Sequence, residues 1–239
     1  MRPELSVVIV ARNEAARMPA LLADLAPAAA WIREVVVADG ASSDGTAALA
    51  RLAGARVVAC APSRGGQLAA GVAATDGTWL LLLHADTRLP LDWIAVVSRA
   101  QAFGLERAWA FRLGIDAGGA DLRLVEALVA LRSRWRNLPY GDQGLLISRP
   151  LLKAVGGIAP IPLMEDRELV LRLRRRGGIG LLPATLLVSG RRWRRLGVVG
   201  TALANGRLRR AWRRGERPEQ LAARYNRDGQ NRGQVGGGA

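Results

Sequence analysis

A succession of short apolar runs, each followed by a segment with helical spacing, constrains this chain more than any other feature. Leu5 to Val10 is continuous, β-branched and apolar, which reads as a strand buried on both faces. Ala15 to Leu25 follows, with apolar residues at Ala15, Met18, Leu22 and Leu25 on one helical face. The alternation repeats through strand Glu34 to Ala38, helix Thr46 to Leu52, strand Arg56 to Cys60, helix Gly66 to Ala74 and strand Thr78 to Leu83. Strands alternating with helices across short loops predict an α/β chain built on a parallel, doubly wound sheet. Right-handed crossovers set the loops that follow the strands along one sheet edge. Ala11 to Glu14, Asp39 and Asp86 should therefore converge there, although they are far apart in sequence.

Beyond that point the pattern loosens. Helices are expected at Leu91 to Phe103, Leu122 to Trp135, Pro150 to Val155, Glu165 to Arg176 and Leu196 to Trp212. Strands are expected at Trp109 to Ile115, Leu145 to Ser148, Ile179 to Leu182 and Thr185 to Val188. Leu124, Leu128, Leu131 and Trp135 share one helical face, with Arg123, Arg132, Arg134 and Arg136 elsewhere. Asn226 to Ala239 is rich in Gly, Asn and Gln, has almost nothing to bury, and reads as a disordered tail.

Composition narrows the function classes. The 239 residues allow one large α/β domain or two small ones, and 50% hydrophobic content supplies ample core. The single cysteine, Cys60, leaves no internal disulfide and no multi-cysteine metal site. No signal peptide and no spanning helix is expected, so the chain reads as soluble or peripheral and cytoplasmic. The net charge of +15 is unevenly placed. Residues 1–120 hold 11 arginines against 11 acids, and residues 121–239 hold 24 basic against 9 acidic side chains. Nearly all the bases are arginine, as GC-rich coding favours, but coding bias does not explain why one half is neutral. The asymmetry points to an acidic partner for the second half: a membrane surface, nucleic acid or a phosphorylated substrate.

Several polar residues interrupt this frame in ways that carry chemistry. The run Trp79 to Leu83 ends on His84-Ala85-Asp86. A carboxylate beyond the carboxyl end of a strand can hold a divalent cation against a diphosphate, or can simply cap the next turn. Asp39 at the end of the second strand can accept from a base or ribose hydroxyl, although Asp-Gly is also an ordinary turn. Asp44 reads as the N-cap of the helix after it. Ser63-Arg64-Gly65-Gly66-Gln67 is a glycine-containing helix entry that suits phosphate or is a plain turn. Gly141-Asp142-Gln143-Gly144 sets two polar side chains between glycines, which permit close approach of a ligand. Glu165-Asp166 opens a helix; one of the two can be a general base, or both can complement the helix dipole. Arg191-Arg192-Trp193 can neutralise a departing diphosphate and wall a sugar, or be a basic surface run.

Together these segments resemble the family 2 inverting glycosyltransferases of GT-A fold, from about Leu5 to Trp193. The opening strand with Asn13-Glu14, the stretch Val37 to Thr46, His84-Ala85-Asp86, Glu165-Asp166 and Arg192-Trp193 stand in the family's order. The wording of His84 to Thr87, Tyr140 to Gly144 and Met164 to Asp166 resembles the arsenosugar-biosynthesis-associated, or selenodomain-associated, transferase subgroup. Three positions depart from the family pattern: His84 stands for the first Asp of the metal element, Gly40 for the second Asp of the nucleotide loop, and Val10 for a proline.

The resemblance implies a Rossmann-like three-layer α/β/α sandwich with a mostly parallel central sheet and C-terminal helices. Residues 1–120 would be the nucleotide-sugar half, 121–195 the acceptor and catalytic half, 196–225 basic amphipathic helices and 226–239 the tail. It implies a nucleotide-diphosphate sugar donor held by Ala11, Arg12, Glu14, Asp39, Arg64 and Asp86. Mg²⁺ or Mn²⁺ would sit on Asp86, with His84 a further candidate ligand. Asp166, beside Glu165, would take the proton of the acceptor hydroxyl. The acceptor, a small molecule or a lipid-linked one, and the diphosphate would meet Gly141, Asp142, Gln143, Arg192 and Trp193.

Two other classes compete. A nucleotidyltransferase acting on a sugar phosphate usually carries a glycine-rich loop after its first strand, and Ala11-Arg12-Asn13-Glu14 has no glycine. A nucleic-acid module would explain the basic half but not the carboxylates at several strand ends, and 5% aromatic content is thin for base stacking. No nucleic-acid partner is expected. An anionic membrane surface is a candidate partner for Leu196 to Arg214, unless its apolar stripe packs on the domain instead. No feature fixes the oligomeric state.

Overall fold

A computed structural model describes residues 4–230. Its centre is a sheet of β1 (Leu5–Ala11), β2 (Ile32–Asp39), β3 (Arg56–Ala59), β4 (Trp79–His84), β5 (Thr87–Arg88), β6 (Ala108–Asp116), β7 (Leu145–Ser148) and β8 (Ile179–Ser189). The strands lie in the order β3-β2-β1-β4-β7-β6-β8-β5. β3, β2, β1 and β4 are mutually parallel, as the alternation predicts. Beyond β4 the sheet is mixed: β7 runs antiparallel to both β4 and β6, β6 and β8 are parallel, and β5 is antiparallel to β8.

Side chains of β1 and β4 alternate between two cores, as a strand buried on both faces requires. Val7, Ile9, Leu81 and Leu83 face α1 (Met18–Leu25), α2 (Thr46–Leu52) and α4 (Trp93–Gln101) through Met18, Leu21, Ala50, Trp93 and Val97. Val8, Val10, Leu80 and Leu82 face the other way. They meet Leu68 of α3 (Arg64–Ala73), Leu151 of α6 (Arg149–Ala154) and Leu169 and Leu173 of α7 (Glu165–Arg176). The result is the three-layer α/β/α sandwich. α5 (Ala120–Arg136) lies against β6, and α8 (Arg191–Arg213) and α9 (Pro218–Gln230) close the described chain.

Several expectations need correction. The first helix starts at Met18 rather than Ala15, with Pro19 in its first turn, where a missing N–H costs nothing. The two short strands expected after Gly178 are one strand, β8. Pro183 has no N–H for the ladder, and the register slips there: Ala110 faces Leu181 but Arg112 faces Thr185. The N-cap of α2 is Gly45 in the left-handed region, not Asp44, although the Asp44 carboxylate does accept from the Thr46 N–H at 3.1 Å. α8 breaks at Gly197, whose φ is 68°. The expected tail from Asn226 is helical backbone as far as Gln230, and residues 231–239 lie outside the described residues. Among the described residues, no helix is long and apolar enough to cross a membrane.

Candidate active site at the carboxyl ends of β1 and β4

The chain leaves β1 to one side, builds β2 and β3, then returns to β4 on the other side. This reversal opens a crevice at the carboxyl ends of the strands, where open α/β sheets bind ligands. Register aligns the strand ends: Ala11 pairs with Asp39, and Val10 with His84.

The loops that follow β1 and β2 are sewn together by side chains. Asn13 accepts from Ser43 N and donates its own N–H to Ser42, at 2.8 and 2.9 Å. Glu14 N donates to the Thr46 hydroxyl, and Ala15 N to the Asp44 carboxylate. The Ser42 to Thr46 segment is therefore structural. Behind it, the buried Gln67 amide donates to Ala11 O and to Ala38 O, both at 2.8 Å. A Cβ on Gly40 would lie 2.8–2.9 Å from that amide. With the Gln67 amide filling this space, position 40 admits a glycine and no larger residue unless Gln67 moves.

Asp86 and Asp166 line one crevice of about 240 Å³, together with His84, Arg64, Asp142 and Trp193. Asp166 comes from the first turn of α7, after Met164 in the left-handed region at φ 70°. A non-glycine residue held there stores strain, which recurs at functional sites. The Asp166 oxygens accept from Gly141 N at 2.7 Å and Arg167 N at 2.6 Å. A Cβ on Gly141 would press within 3.0–3.3 Å of Asp166 and the His84 Nε2, so glycine permits this approach. Burial, reinforced by the Arg64 guanidinium, lowers the His84 pKa and outweighs the pull of Asp86 and Asp166. The imidazole is thereby kept neutral, the form in which it ligates metals.

Glu14 and Asp86 flank the crossover point, and Arg191 joins them, with N–O distances of 2.6 Å to Glu14 and 3.4 Å to Asp86. Burial raises the Glu14 pKa, against the opposing Arg191 charge. Asp39 lies on the same sheet edge but does not line the crevice with Asp86 and Asp166. It is 6% exposed, accepts from Ser42 N through Oδ2 and leaves Oδ1 without a partner. β1 intervenes between β2 and β4, which places Asp39 about 10 Å from the β4 end at ordinary strand spacing.

Other expected site residues hold structural posts. Glu165 is 2% exposed and belongs to an apolar pocket beneath the crevice, with Leu68, Leu82 and Leu169. Gln143 is fully buried: it donates to Phe111 O and accepts from Ser133 and Tyr140 N, so it braces the loop rather than meeting a ligand. The Ala11 carbonyl is taken by Gly40 N and Gln67. The entry to α3 is no phosphate cradle. Ser63 caps Gly66 N, and Gly65 N donates to Ile161 O at a packing so tight that a Cβ would lie 2.3–2.5 Å from backbone carbonyls. Arg64 reaches the crevice from there, but binds the Tyr225 hydroxyl at 2.9 Å and stacks on its ring. Arg12 is exposed outside the crevice lining, and the side chain of Arg192 lies outside the described residues.

The C-terminal helices form a crevice wall that the sequence did not announce. Thr201, Asn205, Leu208 and Arg209 of α8 and Tyr225 of α9 line it, opposite Tyr140 and Arg167. Leu208 and Trp212 pack with Leu163 and Leu221, so this part of α8 belongs to the domain and is not free for a membrane. Tyr140 links the two sides: Arg132 lies 3.8 Å from its ring centre and Arg209 6.0 Å, and its hydroxyl accepts from Arg167. Its place beside Gly141 was the one available signal. Among the described residues, no group of three or more His, Cys, Asp or Glu is placed to hold a metal ion.

Among solved structures, glucosyl-3-phosphoglycerate synthase from Mycobacterium tuberculosis, with Mn²⁺, UDP and glucosyl-3-phosphoglycerate, has a TM-score of 0.57 at 23% identity, over 77% of this chain and 70% of that one. The same enzyme with Mg²⁺ and UDP has a TM-score of 0.56 at 22% identity, over 77% and 69%. S. aureus TarS has a TM-score of 0.62 at 14% identity, over 78% of this chain and 36% of TarS. Likeness at these identities is one of fold. No curated protein sequence matches the chain. The sequence profile of Glycosyl transferase family 2 matches residues 6–154, more than half of the chain, and this protein belongs to that family.

Proposed function

We propose that this chain moves a sugar from a nucleotide-diphosphate donor to an acceptor hydroxyl in one inverting displacement. The reading is carried by two carboxylates in one crevice, Asp86 at the end of β4 and Asp166 at the start of α7. Inversion requires the base and the leaving group on opposite sides of the sugar. Asp166 takes the acceptor proton as the acceptor oxygen bonds to the anomeric carbon and the carbon–oxygen bond to the diphosphate breaks. Two backbone N–H groups orient Asp166, and each oxygen keeps a lone pair for the incoming hydroxyl. A general base in that position is typically worth ~10²–10⁴ in rate.

Glu14 and Asp39 hold the nucleoside. The unpaired Asp39 Oδ1 suits a base N–H or a ribose hydroxyl once the loop eases. Asp86 suits Mg²⁺ or Mn²⁺, which take few protein ligands and fill the remainder with phosphate oxygens and water. The neutral His84 would add a nitrogen that Mn²⁺ accepts and the harder Mg²⁺ takes poorly. That ion would stabilise charge on the departing diphosphate, an effect worth several kcal/mol. The acceptor lies near Gly141 and Asp142, against Tyr140, Asn205 and Arg209, and is a small molecule or a lipid-linked one. The M. tuberculosis structures hold UDP-glucose and phosphoglyceric acid, which makes UDP-sugars the first donors to test. The reading places the enzyme in the cytoplasm, at the inner membrane face if the acceptor is lipid-linked. Within the family, the His84 to Thr87 wording favours the arsenosugar-associated subgroup.

Calorimetry with UDP, GDP, dTDP and CDP, with and without Mn²⁺, identifies the nucleotide. Asp166→Asn should then abolish transfer while nucleotide affinity stays within about twofold. Loss of both together would make Asp166 structural and end this reading.

A further inference from the structure

α5 turns its strongest apolar face to water. Leu124, Leu128, Leu131 and Trp135 recur at the spacing of one helical face, and they are 60%, 56%, 46% and 78% exposed. The buried positions of the same helix, Leu122 and Ser133, lie on the opposite side. There Leu122, Val125 and Val129 pack toward Leu113, Ile115 and Val188. Single exposed leucines are ordinary, but large apolar side chains aligned on one face mark a contact surface. α8 packs beside α5 and adds Val199 and Leu203, 71% and 54% exposed.

Arginines outnumber acids around this face, where the exposed Asp121 in the first turn of α5 stands against them. Arg134 and Arg136 are exposed on α5, and Arg194, Arg207 and Arg210 on α8. α8 carries no acidic residue from Arg191 to Arg213. On α5, Glu126 is already engaged by Arg123 and Ile115 N. A second copy docked face to face would set arginine against arginine. A bilayer with anionic headgroups accepts both the apolar stripe and its arginine flanks.

We propose that α5, with the adjoining outer face of α8, docks the protein on an anionic phospholipid bilayer. α5 lies in the plane of the interface, its leucines and Trp135 entering the acyl boundary and its arginines on the headgroup phosphates. The surface uses none of the crevice residues, so docking and sugar transfer stand or fall separately.

Flotation of the full chain with vesicles tests this. The wild type should float with equal parts phosphatidylglycerol and phosphatidylcholine, less so at high salt, and not with phosphatidylcholine alone. Leu128→Gln with Leu131→Gln should lower partitioning about tenfold, as should Trp135→Ser separately, with circular dichroism and UDP binding unchanged. Wild type that stays off the phosphatidylglycerol vesicles would overturn the proposal, and so would variants that float as the wild type does. A solution dimer dissolved by Leu128→Gln with Leu131→Gln would make a second copy the occupant and also overturn it.

Discussion

Replacing Glu165 by Gln separates its structural cost from its catalytic candidacy. Glu165 is 2% exposed, and its Oε2 has no partner. Burial, then the adjacent Asp166 charge, pushes its pKa from 4.5 up to about 7, against the opposing Arg64. The folded protein therefore keeps a proton that the unfolded chain releases near its ordinary pKa. The associated stability is complete below that ordinary pKa of 4.5, declines as pH rises, and is gone above about 7. A difference of this size corresponds to on the order of 3 kcal/mol. Gln keeps the shape and stays neutral, so Glu165→Gln should flatten that part of the profile and be the more stable protein at high pH, by about 2–3 kcal/mol. Urea unfolding at about pH 5 and pH 8 reads this directly. Transfer should persist, because Glu165 lies beneath the crevice and does not line it. A variant that keeps the wild-type pH course would refute the burial argument. Lost transfer with intact UDP binding would move the base from Asp166 to Glu165.

Arg191→Ala removes the cation between Glu14 and Asp86. Binding of Mn²⁺ alone should tighten by about fivefold, the scale of a half-exposed ion pair. Paramagnetic resonance titration measures it, and unchanged affinity would show that the guanidinium does not compete for the site. Gly40→Ala must displace the Gln67 amide and should cost about 1–3 kcal/mol. Adding Gln67→Ala to that variant should cost less than the two single effects together, and strict additivity in urea unfolding would dissolve the coupling.

The fold was most legible where strands are parallel and buried on both faces. Such strands read as unbroken apolar runs, and β1 and β4 are of this kind. Past Gly104 the sheet turns mixed, its strands mix inward and outward positions, and the runs shorten. β5, only Thr87–Arg88, has no run to find, and Pro183 hides the continuity of β8 because a bulge tolerates what a ladder does not. Among site residues, adjacency on a helix start cannot decide between Glu165 and Asp166. The left-handed Met164 sets which one faces the crevice, and nothing in the residue types reports that torsion. The wall from α8 and α9 was invisible for a related reason. Thr201, Asn205 and Tyr225 sit in helices whose apolar spacing reveals packing but not what lies across from it.

Hydrogen-bond capacity distinguishes the polar residues that could act on a substrate from those that hold the frame. Gln143 spends its amide on Phe111 O, Ser133 and Tyr140 N, and Gln67 spends its own on the ends of β1 and β2. Both were polar residues in glycine-rich segments, and both are closed to further partners in the directions they use. Asp166 accepts two N–H groups with four lone-pair sites to fill, and it stands at the crevice wall. Asp39 has an entire oxygen unspent. An unmet acceptor in a folded interior costs about 1–3 kcal/mol. Glu165 lowers that cost by holding a proton up to about pH 7, and for Asp39 a donor from a bound ligand would do so. The amides fix the strand ends in register and leave that unfilled capacity to the carboxylates.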